Sequence, residues 1–323
     1  MSDPEARQHG VGFPAGQVGG GIDLLDPGVE AGPLGLPETL ISAPSGSTMR
    51  RDAWRRFRKN KLAMVGLVVI VLLVVAAVFA PLIARYDPYQ LSSDLRKPPS
   101  GEHWFGTDTV GRDLFARMVY GARVSLTVGI FAALIATVIG VLFGALAGFY
   151  GGFLDAVIMR ITDILLAFPY IVLAIAIITV IGPGQATVIL VLGLLGWLAI
   201  ARVLRSSFLQ IKQMEYVEAA RAVGASNRRI MFKHMLPNAI QPVIVYSTLF
   251  VGSAVLSEAA LSFLGIGINE PTPAWGLMVN QGRKFLTTAP HLLIIPGSAI
   301  FVMVLAFLFV GDGLRDALDP KLK

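Results

Sequence analysis

The run of residues 62–84 (LAMVGLVVIVLLVVAAVFAPLIA) contains no charged side chain, and this feature most constrains what the chain can fold into. About 20 apolar residues in a helix cross the hydrocarbon core of a bilayer. Only 15% of all residues are charged, whereas about 25% is usual in soluble domains. The sequence therefore predicts an all-α, polytopic membrane protein with six transmembrane helices, over about 62–84, 124–149, 161–181, 186–205, 239–265 and 291–311.

The first 49 residues differ in composition from the rest of the chain. They contain ten Gly, six Pro and a single basic residue, Arg7. Such a segment buries too little apolar surface to offset the entropy of ordering. We therefore expect a disordered tail over 1–49, a basic juxtamembrane segment over 50–61 and a transmembrane domain over 62–323. Met49 directly precedes the basic segment, which leaves open a translation start at that residue.

Lys and Arg are unevenly divided between the segments that connect the apolar runs. The segments 50–61, 150–160, 202–236 and 312–323 carry eighteen of them, and the alternate segments carry eight. Loops rich in Lys and Arg remain in the cytoplasm. We therefore expect a multi-pass protein with both termini and the 206–237 loop on the cytoplasmic side. The same bias explains the net charge of +6 without a nucleic-acid partner.

Two apolar runs carry small or polar residues at helical spacing. Gly140, Gly144 and Gly148 lie four apart, so they share a face at which two helix backbones can approach closely, within this chain or between subunits. In the fifth run, a small and partly polar stripe includes Glu258. An ionised carboxyl in hydrocarbon costs about 3 kcal/mol, so Glu258 should face protein or water.

Pro169, in the third run, removes a backbone donor and should kink its helix, either as a hinge or as a static bend. Together with the stripe in the fifth run, it marks the residues that we expect at a path through the membrane or at a subunit interface. These are Pro169, Ser247, Ala254, Glu258 and Ser262.

A conspicuously polar stretch, QMEYVEAARAVGASNRRIMFKHMLPN (213–238), separates the fourth and fifth runs. An apolar stripe of Tyr216, Ala219, Ala220 and Val223 predicts a first helix. Gly224 is suited to the left-handed conformation that ends a helix. So small an apolar face fits a groove on another protein better than lipid headgroups, although spacing alone leaves both possibilities open.

A second helix is predicted over NRRIMFKHML, the next part of this stretch. Ser226 is placed to cap it, Pro237 to end it and Asn238 to cap the fifth span. His234 has no acidic or histidine neighbour at ligand spacing, so we expect it to be structural. No metal site is predicted.

The segment 85–123 is too polar to cross the membrane. Asp108 is placed to cap a short interfacial helix within it, and Asp113 and Arg117 are spaced as an i,i+4 ion pair. Such a helix either anchors the second span at the headgroups or receives a partner protein. The predicted apolar face of this helix consists of Leu114, Phe115, Met118 and Val119.

Several motifs resemble one family of membrane proteins. The pattern Glu218-Ala219-Ala220, then Gly224, then HMLP at 234–237 looks like the cytoplasmic EAA loop of ABC-importer permeases. Four further stretches resemble the second-permease branch of the dipeptide/oligopeptide/nickel family. They are HWFGTDTVGRDLFARMVYGARVSLTVG (103–129), LLAFPYIVLAIAI (165–177), SEAALSFLGIG (257–267) and GDGLRDALDPKLK (311–323).

The resemblance, which runs from about residue 50 to the end, implies a type I importer permease fold in the bacterial plasma membrane. It implies a heterodimer with a homologous permease, two ATPase subunits and an extracytoplasmic binding protein that delivers peptides, or alternatively nickel or another small solute. The implied ATPase-coupling residues are Glu215, Tyr216, Glu218, Ala219, Ala220, Arg221, Gly224 and Ala225. The implied binding-protein docking residues are Asp108, Gly111, Arg112 and Asp113.

Other classes of protein fit the sequence less well. No G-x-x-x-x-G-K-[ST] phosphate loop occurs, so ATP and Mg²⁺ are expected on partner subunits and no cofactor on this chain. No intramembrane constellation of Ser/His, Asp/Asp or clustered His supports an enzyme. A secondary transporter stays an alternative, but it would usually show an internal repeat, and none is clear.

Overall fold

The computed structural model describes residues 46–318 and the side chains of residues 51–318. The described chain is helical, without a named strand. In chain order its helices are α1 (Gly46–Lys59), α2 (Lys61–Val78), α3 (Ala80–Ile83), α4 (Leu114–Tyr150), α5 (Gly152–Leu166), α6 (Tyr170–Ile181), α7 (Gln185–Ile211), α8 (Glu215–Ala222), α9 (Asn227–Arg229), a π-helix (Ile230–Met235), α10 (Leu236–Ala239), α11 (Gln241–Phe263), α12 (Trp275–Gly282), a 3₁₀ turn (Arg283–Phe285) and α13 (His291–Leu318).

The predicted tail over 1–49 lies outside the described residues as far as residue 45. Residues 46–49 form the first turn of α1. This helix ends at Lys59, and Asn60 then caps α2 by accepting a hydrogen bond from Ala63 N at 3.1 Å.

Among residues 46–318, five helices are long and apolar enough to cross a membrane: α2, α4, α7, α11 and α13. The pair α5 and α6 makes a sixth if the two bent helices are one span. The kink predicted at Pro169 in the span over 161–181 is found, and it is a complete break in the helix. Two helices meet there at a bend of 89°. The break falls at 167–169 because proline disfavours helical geometry in the residue before it and has no N–H to give.

The glycine face of α4 packs on α7 within this chain. A Cβ added to Gly140 would lie 2.6 Å from Ile200 Cβ, and one added to Gly144 would lie 2.6 Å from the carbonyl oxygen of Ala201. Gly148 is equally close to Phe208. The intrachain interpretation of this face is therefore confirmed.

The second span is longer than predicted, and the short interfacial helix is not a separate element. α4 is continuous from Leu114 to Tyr150. Its first turns accommodate two cations that the sequence places there. Arg117 is fully buried among polar partners, and Arg123 donates from Nε to the carbonyl oxygen of Ala77 at 3.0 Å.

Much apolar surface faces outward along the spans. α2 buries only Ala63, Gly66 and Ala77, and it leaves side chains such as Val68 and Leu72 more than half exposed. Soluble monomers rarely expose apolar patches of this extent. Lipid is therefore the solvent for this face.

Candidate functional site

The candidate coupling helix, α8, projects from the end of the bundle between α7 and α11. Only a narrow face of α8 packs on the rest of the chain, through the buried side chains of Val217 and Ala220. The other predicted coupling residues of the helix, Glu215, Tyr216, Glu218, Ala219 and Arg221, are exposed. Most of the helix surface is thus available to a partner, while Ala220 is used for internal packing.

The end of α8 has the geometry that its sequence predicts. Gly224 adopts a φ of +78°. Its N–H donates to the carbonyl oxygen of Arg221 at 2.9 Å, and the N–H of Ala225 donates to that of Ala220 at 3.0 Å. These two bonds form a Schellman motif. Ser226 then caps the next helix by accepting from Arg229 N at 3.4 Å, as expected.

The second helix of this segment does not end at Pro237, so that prediction is wrong. The chain passes through the π-helix into α10, which contains Pro237 in its first turn. A prolyl ring clashes with the carbonyl four residues earlier, and the wider π turn relieves that clash. Asn238 does not cap α11; its side chain donates to the carbonyl oxygen of His234 at 2.8 Å.

Two polar contacts that sequence reasoning missed join the spans next to α8 to one another. Just before α8, Lys212 Nζ donates to the carbonyl oxygen of Phe149 at 2.7 Å and so binds the C-terminal end of α4. On α7, Arg205 binds both carboxylate oxygens of Asp155 on α5, at 2.5 and 2.6 Å. The only available signal was the position of these charges at span ends.

The polar stripe of α11 is mostly covered by the chain's own helices. Ala254, Glu258 and Ser262 are fully buried. Glu258 accepts a hydrogen bond from Ser262 Oγ at 2.8 Å and another from Ser125 Oγ of α4 at 3.3 Å. Within this chain, these residues therefore join α11 to α4, and Glu258 does not reach an outer surface.

Ser247 and Pro169 remain accessible to a path or partner. Ser247 is half-buried and accepts from Thr137 Oγ1 of α4 at 2.8 Å. Pro169 is exposed at the break between α5 and α6. Near the α8 end of the bundle, an open cavity of about 450 Å³ between α7, α11 and α13 is mainly apolar, with Gln241, Tyr246 and Arg315 among its lining residues.

Residues 84–113 and 264–290 form the opposite end of the bundle, which we call the loop face. Here Asp113, not Asp108, caps α4, because it accepts from Ala116 N at 2.7 Å. It also binds His103 Nδ1 at 2.8 Å. The predicted Asp113–Arg117 ion pair is wrong too; Arg117 lies 3.5 Å from both Asp108 and Glu270 carboxylate oxygens.

The predicted docking residues shape the loop face from within. Asp108, Arg112 and Asp113 are each about 5% exposed. Asp108 accepts from the N–H of Arg112 and from its Nε, at 2.9 and 2.6 Å. Gly111 takes a φ of +82°, and a Cβ there would lie 2.2 Å from the carbonyl oxygen of Ser92. Only a glycine fits this turn.

Glu270 completes this cluster, and sequence reasoning missed it. Its two carboxylate oxygens accept from Arg112 at 2.6 and 3.0 Å, and it also accepts from Gln281. Burial alone would raise the pKa of Glu270, but these hydrogen bonds and the charges of Arg117 and Arg112 outweigh it and lower the pKa below its ordinary value of 4.5. Nothing in the local sequence connects residues 158 positions apart.

Trp275 connects the loop face to α4 by packing and by a hydrogen bond. It is buried, and its Nε1 donates to the carbonyl oxygen of Met118 at 2.9 Å. Gly121 provides the space, because a Cβ there would lie 2.6 Å from Trp275 Cδ1. Among residues 46–318, no group of three His, Asp or Glu side chains is arranged to hold a metal ion.

Within residues 46–318, a bundle of five or six apolar spans with a helix that projects between α7 and α11 defines a class of transporter subunit. A family model described as the inner membrane component of binding-protein-dependent transport systems matches residues 140–323, and one for the N-terminal transmembrane domain of oligopeptide transport permease C matches residues 48–99. The chain belongs to this family of ABC-importer permeases, in its dipeptide/oligopeptide/nickel branch. It is the non-catalytic membrane subunit of such a system, which also contains ATPase subunits and a binding protein.

Particular relatives are similar over most of the chain. The glutathione transport system permease protein GsiD of Shigella flexneri serotype 5b (strain 8401) is 47% identical over 286 residues, covering 88% of this chain and 94% of the relative. The protein of the same name from Escherichia coli O6:K15:H31 (strain 536 / UPEC) is 46% identical with the same coverage. A permease chain of the MetNI methionine ABC transporter, in an inward-facing conformation, has a TM-score of 0.53 at 22% identity, covering 62% of this chain and 96% of that one. That similarity supports the type I importer permease fold.

Proposed function

We propose that this chain pairs with a homologous permease and forms half of a translocation pathway for small peptides. The relatives at 46–47% identity are named as glutathione transport permeases, and glutathione is a tripeptide. Nickel is the second candidate solute because the family branch includes it, but no group of metal-ligating side chains in the described part of the chain favours it.

In this proposal α8 binds an ATPase subunit. The supporting observation is its geometry: a short helix, exposed on most of its surface, ends in a hydrogen-bonded turn and follows directly on α7, whose C-cap Lys212 binds the end of α4. A displacement of α8 therefore moves two spans with it. ATP and Mg²⁺ would be bound by the two ATPase subunits, and the Lys and Arg distribution supports a cytoplasmic location for α8 and both termini.

The loop face would receive the substrate-binding protein. The buried charges of Asp108, Arg112 and Asp113 hold the loop in shape, and the contact itself would fall on side chains that this framework displays. Among these are Leu91, Trp104 and Val110, which are 68%, 50% and 41% exposed. Aromatic and apolar side chains of this kind are frequent at protein interfaces.

The translocation pathway would run between the two permeases. Pro169, at the exposed break between α5 and α6, and the half-buried Ser247 are the predicted path residues that remain accessible. The mainly apolar cavity near Tyr246 would contribute a concave surface to the path. Glu258 would support the path indirectly, by fixing α11 against α4.

The coupling role is tested by placing a bulky side chain on the exposed surface of α8. Ala219→Trp should block ATPase docking without unfolding the chain, because the Ala219 side chain is exposed. Thr287→Trp, at an exposed position of the loop face, is the matched control. Affinity purification of the tagged permease should recover much less ATPase subunit with Ala219→Trp than with the control. Equal recovery from the two variants would exclude α8 as the docking element.

The solute is tested separately, with the intact complex and its binding protein in vesicles. ATP-dependent uptake of labelled glutathione and of other di- and tripeptides is compared with uptake of Ni²⁺. Uptake of peptides alone supports the proposal. Uptake of Ni²⁺ without peptides would contradict the solute assignment, although it would leave the coupling assignment intact.

A further inference from the structure

The part of α1 that follows residue 50 has one strongly basic face. Arg51, Arg55, Arg58 and Lys59 recur at a spacing of three or four residues, which places them on one side of the helix. All four side chains are exposed. Asp52 is the only acidic residue between Arg51 and α2. The face therefore carries a concentrated positive charge.

The other side of this helix is fixed to the spans. Phe57 is only 4% exposed and packs in one cluster with Ala63 of α2 and with Val310 and Ala317 of α13. Asn60 reinforces this attachment, because its side chain both caps α2 and donates to Asp316 Oδ2 at 3.3 Å. The direction of the basic face relative to the bundle is thus set by packing.

The basic face lies at the edge of the hydrocarbon-facing surface. Asn60 alone separates α1 from α2, whose first turns expose Leu62 and Val65 by more than half. Trp54 is 54% exposed and stacks on Phe57, with ring centroids 5.8 Å apart. Tryptophan favours the headgroup level of a bilayer. The basic side chains of α1 are therefore within reach of lipid phosphates.

We propose that α1 binds anionic phospholipid headgroups through Arg51, Arg55, Arg58 and Lys59. Clusters of Lys and Arg directly beside a transmembrane helix attract anionic lipids, by about 1 kcal/mol for each basic residue, which corresponds to about a fivefold change in affinity. Anionic lipid is favoured over another protein because the face continues directly into the lipid-exposed surface of α2. The four basic residues belong neither to α8 nor to the loop face, which carry the ATPase and binding-protein contacts of the proposed function.

The N-terminal segment is the competing occupant, and the experiment must distinguish it. Residues 1–45 contain six acidic residues and one basic residue, Arg7. This segment thus has the charge to cover the same basic face in place of lipid. Its acidic residues are Asp3, Glu5, Asp23, Asp26, Glu30 and Glu38.

The test uses the full-length protein in its complex, in bilayers of phosphatidylcholine and phosphatidylglycerol. Two preparations are compared: in one, the acyl chains of phosphatidylglycerol carry bromine, and in the other, those of phosphatidylcholine do. Trp54 fluorescence reports contact with the brominated lipid, after subtraction of the signal from a Trp54→Phe variant. The charge variant is Arg55→Gln/Arg58→Gln. Its matched control, Arg283→Gln/Lys284→Gln, removes two exposed charges near the opposite end of α13.

Stronger quenching by brominated phosphatidylglycerol, lost in Arg55→Gln/Arg58→Gln and kept in the control, is the expected result. The affinity for anionic lipid should fall by about fivefold for each charge removed. Equal quenching by both lipids would overturn the proposal. It would also be overturned if the preference arose only after neutralisation of the acidic side chains at 23, 26 and 30, because the N-terminal segment would then be the resident partner.

Discussion

Gly224 provides the sharpest test of the idea that α8 transmits movement. Its φ of +78° lies in the left-handed region, and a Cβ there would meet nothing within 4 Å. The effect of a substitution is therefore purely conformational. A non-glycine residue in this region costs about 1–2 kcal/mol, and a β-branched residue is expected at the upper end because its side chain is stiff next to the backbone.

A cost of 2 kcal/mol lowers the population of the native turn about 30-fold relative to alternative turns, since about 1.4 kcal/mol corresponds to a factor of ten. Gly224→Val should therefore loosen the connection between α8 and α9 while the spans stay folded. In reconstituted vesicles, the amount of solute carried per ATP hydrolysed should fall. Gly224→Asn should retain most of the coupling, because asparagine tolerates the left-handed conformation.

Gly265 offers a matched control at the other end of α11. It has a φ of +79°, open surroundings and the same pair of helix-ending hydrogen bonds. Gly265→Val thus introduces the same local strain at the loop face, far from α8. If Gly224→Val transports as much solute per ATP as Gly265→Val, or if Gly224→Asn is as defective as Gly224→Val, a rigid turn at α8 is not needed for coupling.

Three other changes have defined outcomes. Glu258→Leu leaves the Ser262 hydroxyl without its acceptor in a buried site, so the free energy of unfolding of the purified chain should fall by about 1–3 kcal/mol. The range of solutes that the complex transports should stay the same. A changed range of solutes at full stability would contradict this role. Gly144→Val should prevent close packing of α4 on Ala201. The yield of folded protein purified in detergent should therefore be lower than for the unchanged protein. Because the folded pKa of Glu270 is lowered from 4.5, its contribution to stability is full above that value and is lost as the pH falls through the folded pKa. Melting temperatures from pH 7 to 3 should show a loss in acid that is smaller in Glu270→Gln; equal losses would refute the assignment.

Local features of this protein were predictable from the sequence because short-range physics determines them. The end of α8 at Gly224 and the cap at Ser226 depend on neighbouring backbone groups, and both predictions are confirmed. Long apolar runs with few charges likewise indicated the long apolar helices. The glycine face of α4 was recognised, but spacing could not tell whether it packed on α7 or on another subunit.

Features that depend on distant parts of the chain were missed. Asp108 and Asp113 are both suitable caps, and the choice between them follows from Arg112, which holds Asp108 in the loop. Arg112 in turn binds Glu270, 158 positions away, and no periodic pattern encodes that pairing. The sharp bend before α6 was also underestimated, because a proline within a span predicts a kink but not its angle.

The length of α4 has a consequence for how this permease can move. Its 37 residues form one uninterrupted helix, about 55 Å long at 1.5 Å per residue, which exceeds the roughly 30 Å hydrocarbon thickness of a bilayer. Near the N-terminus of α4, the carbonyl oxygen of Met118 accepts a hydrogen bond from Trp275, and near its C-terminus, that of Phe149 accepts one from Lys212 beside α8. A continuous helix held at both ends is expected to tilt as one unit, so a movement of the chain beside α8 should be accompanied by a movement of the loop face.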